Sequence, residues 1–348
     1  MRDGGQEYGA RAARTAISRA LRFLESVQLP TGELPVFASN DPTMAEGGTP
    51  DPSIFPTALA AHCLSFCAEA GPVRRKALAF LAAEMDRHGL WRHWTRGHPH
   101  VHQLPPDLDD TSCASAAIGD PARLARNREI ILCNRRRDGL FLTWILPRLR
   151  QGCAAHRRAT LPQLRHPATL FLFFRRTSAR PGDVDAVVNA NVLFHLGGFD
   201  GRAAVVEFLL GVLRRGAEES CDKWYENPFA VRYFLSRALA GEPEAGELVA
   251  RRAAAAVPAD ALETALALCA SLYCGRRPAE AEVYALLALQ SADGSWPRAS
   301  LYHGGRPRLV GGGFAPRRRD TPHWGSEALT TAFCVEALSR CIPDEERK

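Results

Sequence analysis

Apolar residues recur along this chain at intervals of three and four, the spacing of one helix face, and strand-like alternation is scarce. Gly and Pro residues punctuate the pattern into segments. Two kinds of segment alternate. One is Ala-rich with charges along one face, at about 11–27, 72–87, 121–135, 201–215, 243–256 and 278–290. The other is apolar or small on every side, at about 54–68, 109–119, 184–196, 227–240, 260–273 and 325–341. A helix with one polar face needs cover only on the other, whereas a helix apolar all round must be buried on several sides. Strict alternation over six pairs therefore predicts an inner ring of helices inside an outer ring. The expected fold is all-α, an α6/α6 barrel forming one domain over residues 1–348. The stretch 136–182, with GLFLTWILPRL and ATLFLFFRR, breaks the repeat and predicts an inserted helical hairpin or cap.

A degenerate turn follows several of the amphipathic segments: Gln28-Leu-Pro-Thr-Gly-Glu, Asp86-Arg-His-Gly-Leu-Trp91, Arg137-Asp-Gly-Leu-Phe141 and Gln290-Ser-Ala-Asp-Gly-Ser-Trp296. Each glycine is expected to end its helix as a left-handed cap. The aromatic that follows in most cases can pack back onto the helix it leaves.

Composition narrows the function classes. Of 348 residues, 46% are hydrophobic and 24% charged, which excludes a disordered chain or a small disulfide scaffold. Apolar runs are broken by Arg, Asp or Gly before they reach the roughly 18–20 residues of a membrane span. The net charge is +6, but lysine occurs only at Lys76, Lys223 and Lys348, and the arginines are scattered apart from Arg135–Arg137 and Arg317–Arg319. Such short basic runs read as solvated faces, so no nucleic-acid partner is expected. Ten cysteines show no CxxC pair, and the first residues carry no apolar core of a signal peptide. Free thiols in a reducing cytoplasm are expected.

The densest chemistry lies in Leu104-Pro-Pro-Asp107-Leu-Asp109-Asp110-Thr-Ser-Cys-Ala-Ser. Two prolines enforce an extended entry. Three carboxylates then crowd the start of an apolar helix. One of them can serve as its N-cap. The others, repelling each other, either hold a divalent metal with a bound phosphate or keep one carboxyl protonated as a general acid.

Asp107-x-Asp109-Asp110-Thr111 resembles the DxDD(T) motif of class II terpene cyclases, and Gln290 to Trp296 resembles their QW motif. The QW motif is shared by the prenyltransferase/squalene-cyclase repeat superfamily, an α/α-barrel group. The resemblance implies protonation of an isoprenoid double bond or epoxide followed by a carbocation cascade. Carried over to this chain, it makes Asp109 the proton donor, held and acidified by Asp107 and Asp110. An isolated Asp, with a pKa near ~3.9, is ionised at neutral pH, so the acid needs anionic neighbours and a dry setting. Class II cyclases usually have two barrels with the cavity between them. This chain has room for one, which either closes its own cavity, with 136–182 as a lid, or is completed by a second subunit. No DDxxD motif of class I synthases is present, nor a convincing prenyltransferase zinc set. No cofactor is implied except Mg2+ where the substrate carries a diphosphate.

Parallel inner helices would bring their N-termini to one mouth. That collects Asp183 and Asp185, Trp224 to Pro228, Asp260 and Glu263, and His323 to Glu327 beside the acidic motif. Asp183 or Asp185, Asp260 and Ser326 suit caps. Asp185 and Asn189 share one helix face and are candidates either for an interhelical polar network or for the cavity wall, with Asn189 able to hold a water. Aromatic π faces stabilise cations, which makes Trp144, Tyr225, Phe229, Tyr233 and Trp324 candidates for contact with substrate. His93, His98, His100 and His102 read as a solvated loop, a metal site, or, through His102 with Trp91 and Trp94, a cover over the acids. The basic, Gly-rich stretch 297–322 reads as a mobile loop or a phosphate grip. Two other functions fit the same barrel: an α/α-barrel carbohydrate-active enzyme, and an isoprenoid- or lipid-binding partner without turnover.

Overall fold

The structure is a computed structural model that describes residues 3–45, 47–148, 152–165, 167–253, 256–309, 314–316 and 318–342. Helices are numbered in chain order. The segments apolar on all sides form α2 (Ile54–Cys63), α4 (Leu108–Ile118), α8 (Ala186–Leu196), α10 (Pro228–Ala238), α12 (Ala261–Tyr273) and α14 (Glu327–Cys341). The amphipathic segments form α1 (Asp3–Val27), α3 (Gly71–Glu84), α5 (Pro121–Cys133), α9 (Arg202–Arg215), α11 (Pro243–Ala253) and α13 (Glu280–Ala288). The first set packs in a closed cycle, α2 to α4, α8, α10, α12, α14 and back to α2. The second set lies outside it: α1 against α14, α3 against α2, α9 against α8 and α13 against α12.

Burial follows the sequence pattern. Every residue of α14 from Ala328 to Ser339 is buried, whereas α3 buries only Val73, Ala77, Phe80 and Leu81, one stripe at helical spacing. Side chains such as Leu329, Phe333 and Leu338 each contribute about 1.5–3 kcal/mol on leaving water.

The four related turns share one hydrogen-bond pattern. Leu29 and Glu33, Asp86 and Leu90, Arg136 and Leu140, and Ser291 and Ser295 are each joined by a backbone bond from the first residue to the last. The glycine within each does not cap its helix, as expected from sequence; it stands several residues later, at positive φ, where the turn touches the next outer helix. At Gly294, φ is +95° and a Cβ would lie 2.5 Å from the Arg19 carbonyl of α1, which is how the outer ring closes. Left-handed glycine caps do occur, at Gly119 and Gly216. The residue leaving each turn donates its backbone N–H to a polar side chain near the start of an inner helix. Leu34 bonds Thr57, Trp91 bonds Thr111, Phe141 bonds Asn189 and Trp296 bonds Thr331. Trp91 and Trp296 also donate their indole N–H to Leu81 and Leu286, the same step back along the helix just left.

Within 136–182 lie α6 (Ala154–Thr160), a 3₁₀ turn Leu161–Arg165 and α7 (Pro167–Arg176). α6 packs on α5, and α7 packs on the 3₁₀ turn Val101–Gln103 just upstream of the acidic motif. Trp144, Leu146, Phe173 and Ala179 form a small core of their own there. Four very short strands, β1 (Phe37–Ser39), β2 (Thr49–Pro50), β3 (Tyr302–His303) and β4 (His323–Gly325), pair antiparallel in the order β2-β1-β4-β3. At two or three residues each they are too short to leave an alternating signature. They tie the loop near residue 50 to the loop before α14.

Gly294→Ala forces a Cβ into the Arg19 carbonyl at a φ that side chains resist. It is expected to cost about 1–3 kcal/mol of stability, read as a lower midpoint in urea unfolding. An Ala substitution at Gly47, which also has positive φ but nothing within 4 Å, costs less.

Candidate active site

The acidic motif is pinned before α4 begins. Leu108 donates its backbone N–H to Thr143, and Ile145 donates to Pro106, so Pro105–Asp107 runs alongside 143–145. Asp107 is the N-cap of α4, its Oδ1 accepting the Asp110 N–H at 2.8 Å. The capping role accounts for that one carboxylate. Asp110 is buried, and its Oδ1 has no hydrogen-bond partner. Burial, with the Asp107 carboxylate beside it, pushes the Asp110 pKa well above the usual carboxylate range.

Asp109 points away from this pair. Its Oδ2 accepts the Tyr225 hydroxyl at 2.6 Å and its Oδ1 accepts the Asn191 amide at 2.6 Å. Burial raises its pKa to about 7. The two donors pull it down, while the charges of Asp107 and Asp185 add to the rise. Asp107 and Asp110 were expected to hold Asp109. The structure corrects that: they engage each other, and Tyr225 and Asn191 do the holding. Tyr225 was expected against substrate alone; it also carries this bond.

Asn191 is oriented in turn by Arg237 of α10, whose guanidinium donates to Asn191 Oδ1 at 2.7 Å. Arginine only donates, so the Asn191 oxygen must face it, and the NH2 group must face Asp109. Arg237 is itself buried against Phe194, Tyr233 and Phe234, with its Cζ 4.3 Å from the centre of the Phe194 ring.

Asp107, Asp109 and Asp110 open onto a cavity of about 750 Å³. Its deeper wall is aromatic: Phe55, Trp94, Trp144, Trp224, Tyr225, Tyr302 and Trp324. Tyr302 and Trp324 are stacked with centroids 5.2 Å apart, and Phe55 meets Tyr302 edge-on. Asp51 orients part of this wall, accepting the indole N–H of Trp324 at 2.6 Å and of Trp94 at 3.1 Å. His93 also lines the cavity, and burial holds its pKa down at about 4, so the imidazole is neutral. The segment 136–182 supplies Thr169, Leu172, Phe173, Arg175, Arg176 and Arg180 toward the mouth.

Of the residues singled out in the sequence, Asp107, Asp109, Asp110, Trp144, Tyr225 and Trp324 come together at the cavity. Asp185 and Asn189 do not line it. Asp185 sits behind the wall, accepting from Thr143 Oγ1 at 2.6 Å and from Trp224 Nε1 at 3.2 Å. Asn189 bonds both the N–H and the carbonyl of Phe141, filling the place that Thr57, Thr111 and Thr331 fill in the other repeats. Trp91 is in the core, His98 pairs with Asp51, and His100 and His102 are exposed. No group of three or more His, Cys, Asp or Glu suited to a metal occurs among the described residues. In the basic stretch, Gly311–Gly313 and Arg317 lie outside the described residues. Arg306 is tied to the Glu219 and Asp222 carbonyls and Arg308 stands 3.9 Å from Asp185, so this part is anchored. Arg237, Asp51, Phe55 and Tyr302 escaped the sequence reading, while His93 and Trp224, noted there only in a loop and at a helix entry, line the cavity and Asn191 bonds Asp109. An Arg within the apolar α10 was the available signal for Arg237.

With a folded pKa near 7, above the unfolded ~3.9, Asp109 favours the native state fully at low pH and loses that contribution as pH rises through about 7. A protonated-carboxyl infrared band that titrates near pH 7 and is absent in Asp109→Asn is expected. Tyr225→Phe removes a donor to the carboxylate and moves that titration to higher pH. A band unchanged by Asp109→Asn would reassign the group. Asp109→Asn should also raise the Tm more at pH 8 than at pH 5.

Three solved structures share this architecture. A protein from Actinoplanes is 20% identical, with a TM-score of 0.61 over 95% of this chain and 100% of that one. A variant of type II terpene cyclase MstE from Scytonema, in complex with its substrate geranylgeranyl dihydroxybenzoate, is 15% identical, with a TM-score of 0.67 over 97% and 99%. A second MstE variant, in complex with its product merosterolic acid A, is 16% identical, with a TM-score of 0.68 over the same shares. No family model matches the chain, and no curated protein does. At these identities the likeness shows the fold: this chain has a terpene cyclase-like fold.

Proposed function

We propose that this protein is a class II terpene cyclase-like enzyme in which Asp109 protonates a linear isoprenoid and the cavity folds the resulting carbocation into rings. The observation that carries the reading is a carboxyl with a pKa raised to about 7 opening into an aromatic-walled cavity. A filled barrel would have supported a structural or binding role instead.

On this reading the closed inner ring and the helices outside it are an α6/α6 barrel forming one domain, with 136–182 as its cap. The cap supplies part of the cavity lining, which supports closure by a single chain rather than by a second subunit. The bond broken is the O–H of Asp109, and the bond formed is C–H at the terminal double bond. As the proton leaves, negative charge develops on Asp109, where the Tyr225 hydroxyl and the Asn191 amide already point. Donors fixed in place need no reorganisation at that moment. Positive charge moves into the substrate, where the π faces of Phe55, Tyr302 and Trp324 stabilise it and exclude water. Mg2+ would accompany only a diphosphate-bearing substrate, and among the described residues no cluster of three or more His, Cys, Asp or Glu is placed to hold it alone. Asp185 and Asn189 support the wall from behind. The MstE complexes make a geranylgeranyl chain the first to offer.

The test is product analysis by gas chromatography–mass spectrometry with farnesyl, geranylgeranyl and squalene-type substrates. A cyclic product is expected, with turnover falling about 10³-fold or more in Asp109→Asn. The rate should fall as pH rises through about 7, because the protonated carboxyl is the reactant. Cyclisation that survives Asp109→Asn, or no cyclisation of any linear isoprenoid, would refute the reading.

A further inference from the structure

We propose that the 3₁₀ turn Leu161–Arg165 and α7 form a docking surface for an anionic lipid bilayer, placed at the mouth of the cavity. Large apolar side chains are rarely left in water in clusters without a reason. Here Leu161, Leu164, Phe171 and Leu172 are 52%, 54%, 64% and 41% exposed, half of all the exposed large hydrophobics among the described residues. They fall within twelve residues, on two elements packed against each other. α7 is anchored from its other side, where Phe173 packs on Trp144 with centroids 5.0 Å apart. Its apolar residues therefore divide between an anchored face and a bare one.

Charge says what covers the bare face. Between Asp138 and Asp183 the chain carries eight arginines and neither Asp nor Glu. Arg157, Arg158, Arg165, Arg175 and Arg176 are exposed around the apolar residues. The same residue kinds, apolar tips within a cationic collar, are what an interfacial helix presents to acyl chains and anionic headgroups. A protein partner with an acidic groove would match the arginines but would leave Phe171 and Leu164 needing a second, apolar complement. A bilayer offers both in one layered surface. No helix of the described residues is long and apolar enough to cross a membrane, so the contact is with one face.

The position has a consequence that rests on the proposed cyclase function. Thr169, Leu172, Arg175 and Arg176 belong both to this segment and to the cavity lining. A water-insoluble isoprenoid could pass from the bilayer to Asp109 without crossing bulk water.

Vesicle flotation tests the docking without any substrate. The protein is expected to float with phosphatidylcholine vesicles containing phosphatidylglycerol, to bind pure phosphatidylcholine far less, and to lose binding as salt is raised to ~1 M. Leu164→Ser with Phe171→Ser should weaken binding by about tenfold or more, with an unchanged melting curve because both side chains are exposed. Arg157→Glu with Arg158→Glu should abolish the preference for the anionic vesicles. No flotation, or flotation unaffected by the Ser pair, overturns the proposal. So does a dimer in light scattering that the Ser pair dissolves while vesicles are ignored, since the patch would then join two copies. Turnover without flotation defeats only the docking surface, and flotation without turnover defeats only the cyclase reading.

Discussion

The proposed chemistry depends on a carboxyl that must be buried enough to keep its proton and supported enough to give it up. These demands oppose each other. Burial beside a like charge drives a carboxyl's pKa far up, as at Asp110, whose Oδ1 has no hydrogen-bond partner. Hydrogen-bond donors alone would leave Asp109 ionised and inert. At Asp109 burial is the larger effect, and two donors bring the balance back to about pH 7. Both donors must come from outside α4, because residues of one helix cannot surround their own first turn. Asn191 comes from α8 and Tyr225 from the segment entering α10. A ring that brings three inner helices around one mouth is therefore a condition of the chemistry.

The ring in turn is set by a repeated polar register. After four outer helices the chain turns, and its first buried backbone N–H is received by a side chain near the start of an inner helix: Thr57, Thr111, Asn189 or Thr331. A buried donor left unpaired costs about 1–3 kcal/mol, so each bond fixes the depth at which an inner helix sits. Thr111 belongs to the acidic motif itself. The residue that completes DxDDT thus fixes the height of α4, and with it that of Asp109 against Tyr225 and Asn191.

How much of this was legible follows from the same distinctions. The alternation of two helix kinds is a whole-face property, and it gave most helix boundaries to within a few residues, α14 and α9 among them, although α1 begins at Asp3 rather than near 11. The DxDD motif is local and was readable. Asn189 was left open between a polar network and the cavity wall because a buried Asn satisfies a backbone turn as readily as it faces a ligand, and sequence does not distinguish the two. Asn191, two residues on, is rotated to another face of α8, and only the ring geometry shows which face meets Asp109. Asp51 was unreadable for a different reason. It acts through a four-stranded sheet whose strands are two or three residues long, joining chain segments nearly 300 positions apart. The glycines of the turns were recognised, but their reason was not. They allow one outer helix to approach the next, a contact that no local pattern encodes.

Another buried acidic side chain within the ring of inner helices sharpens the reading of Asp109. Glu336 of α14, fully buried, accepts from Tyr233 and Tyr273 at 2.9 Å each and pairs with Arg340 at 2.9 Å. His62 extends that cluster through Tyr273. Several donors converge on Glu336, and nothing there opens to the cavity lining. Buried ions are tolerated when they are satisfied in this way. Near Asp109 satisfaction is incomplete: Asp110 keeps an oxygen without a hydrogen-bond partner, and the histidine on the same cavity wall, His93, is neutral. Arg237 lies between the two clusters. It stacks on Tyr233 on one side and sets Asn191 on the other. Its positive charge could have neutralised Asp109 directly, which would have locked that carboxyl in the ionised form. Interposing the neutral amide of Asn191 passes on the orientation of a cation without its full charge, and that arrangement leaves Asp109 able to exist in both protonation states.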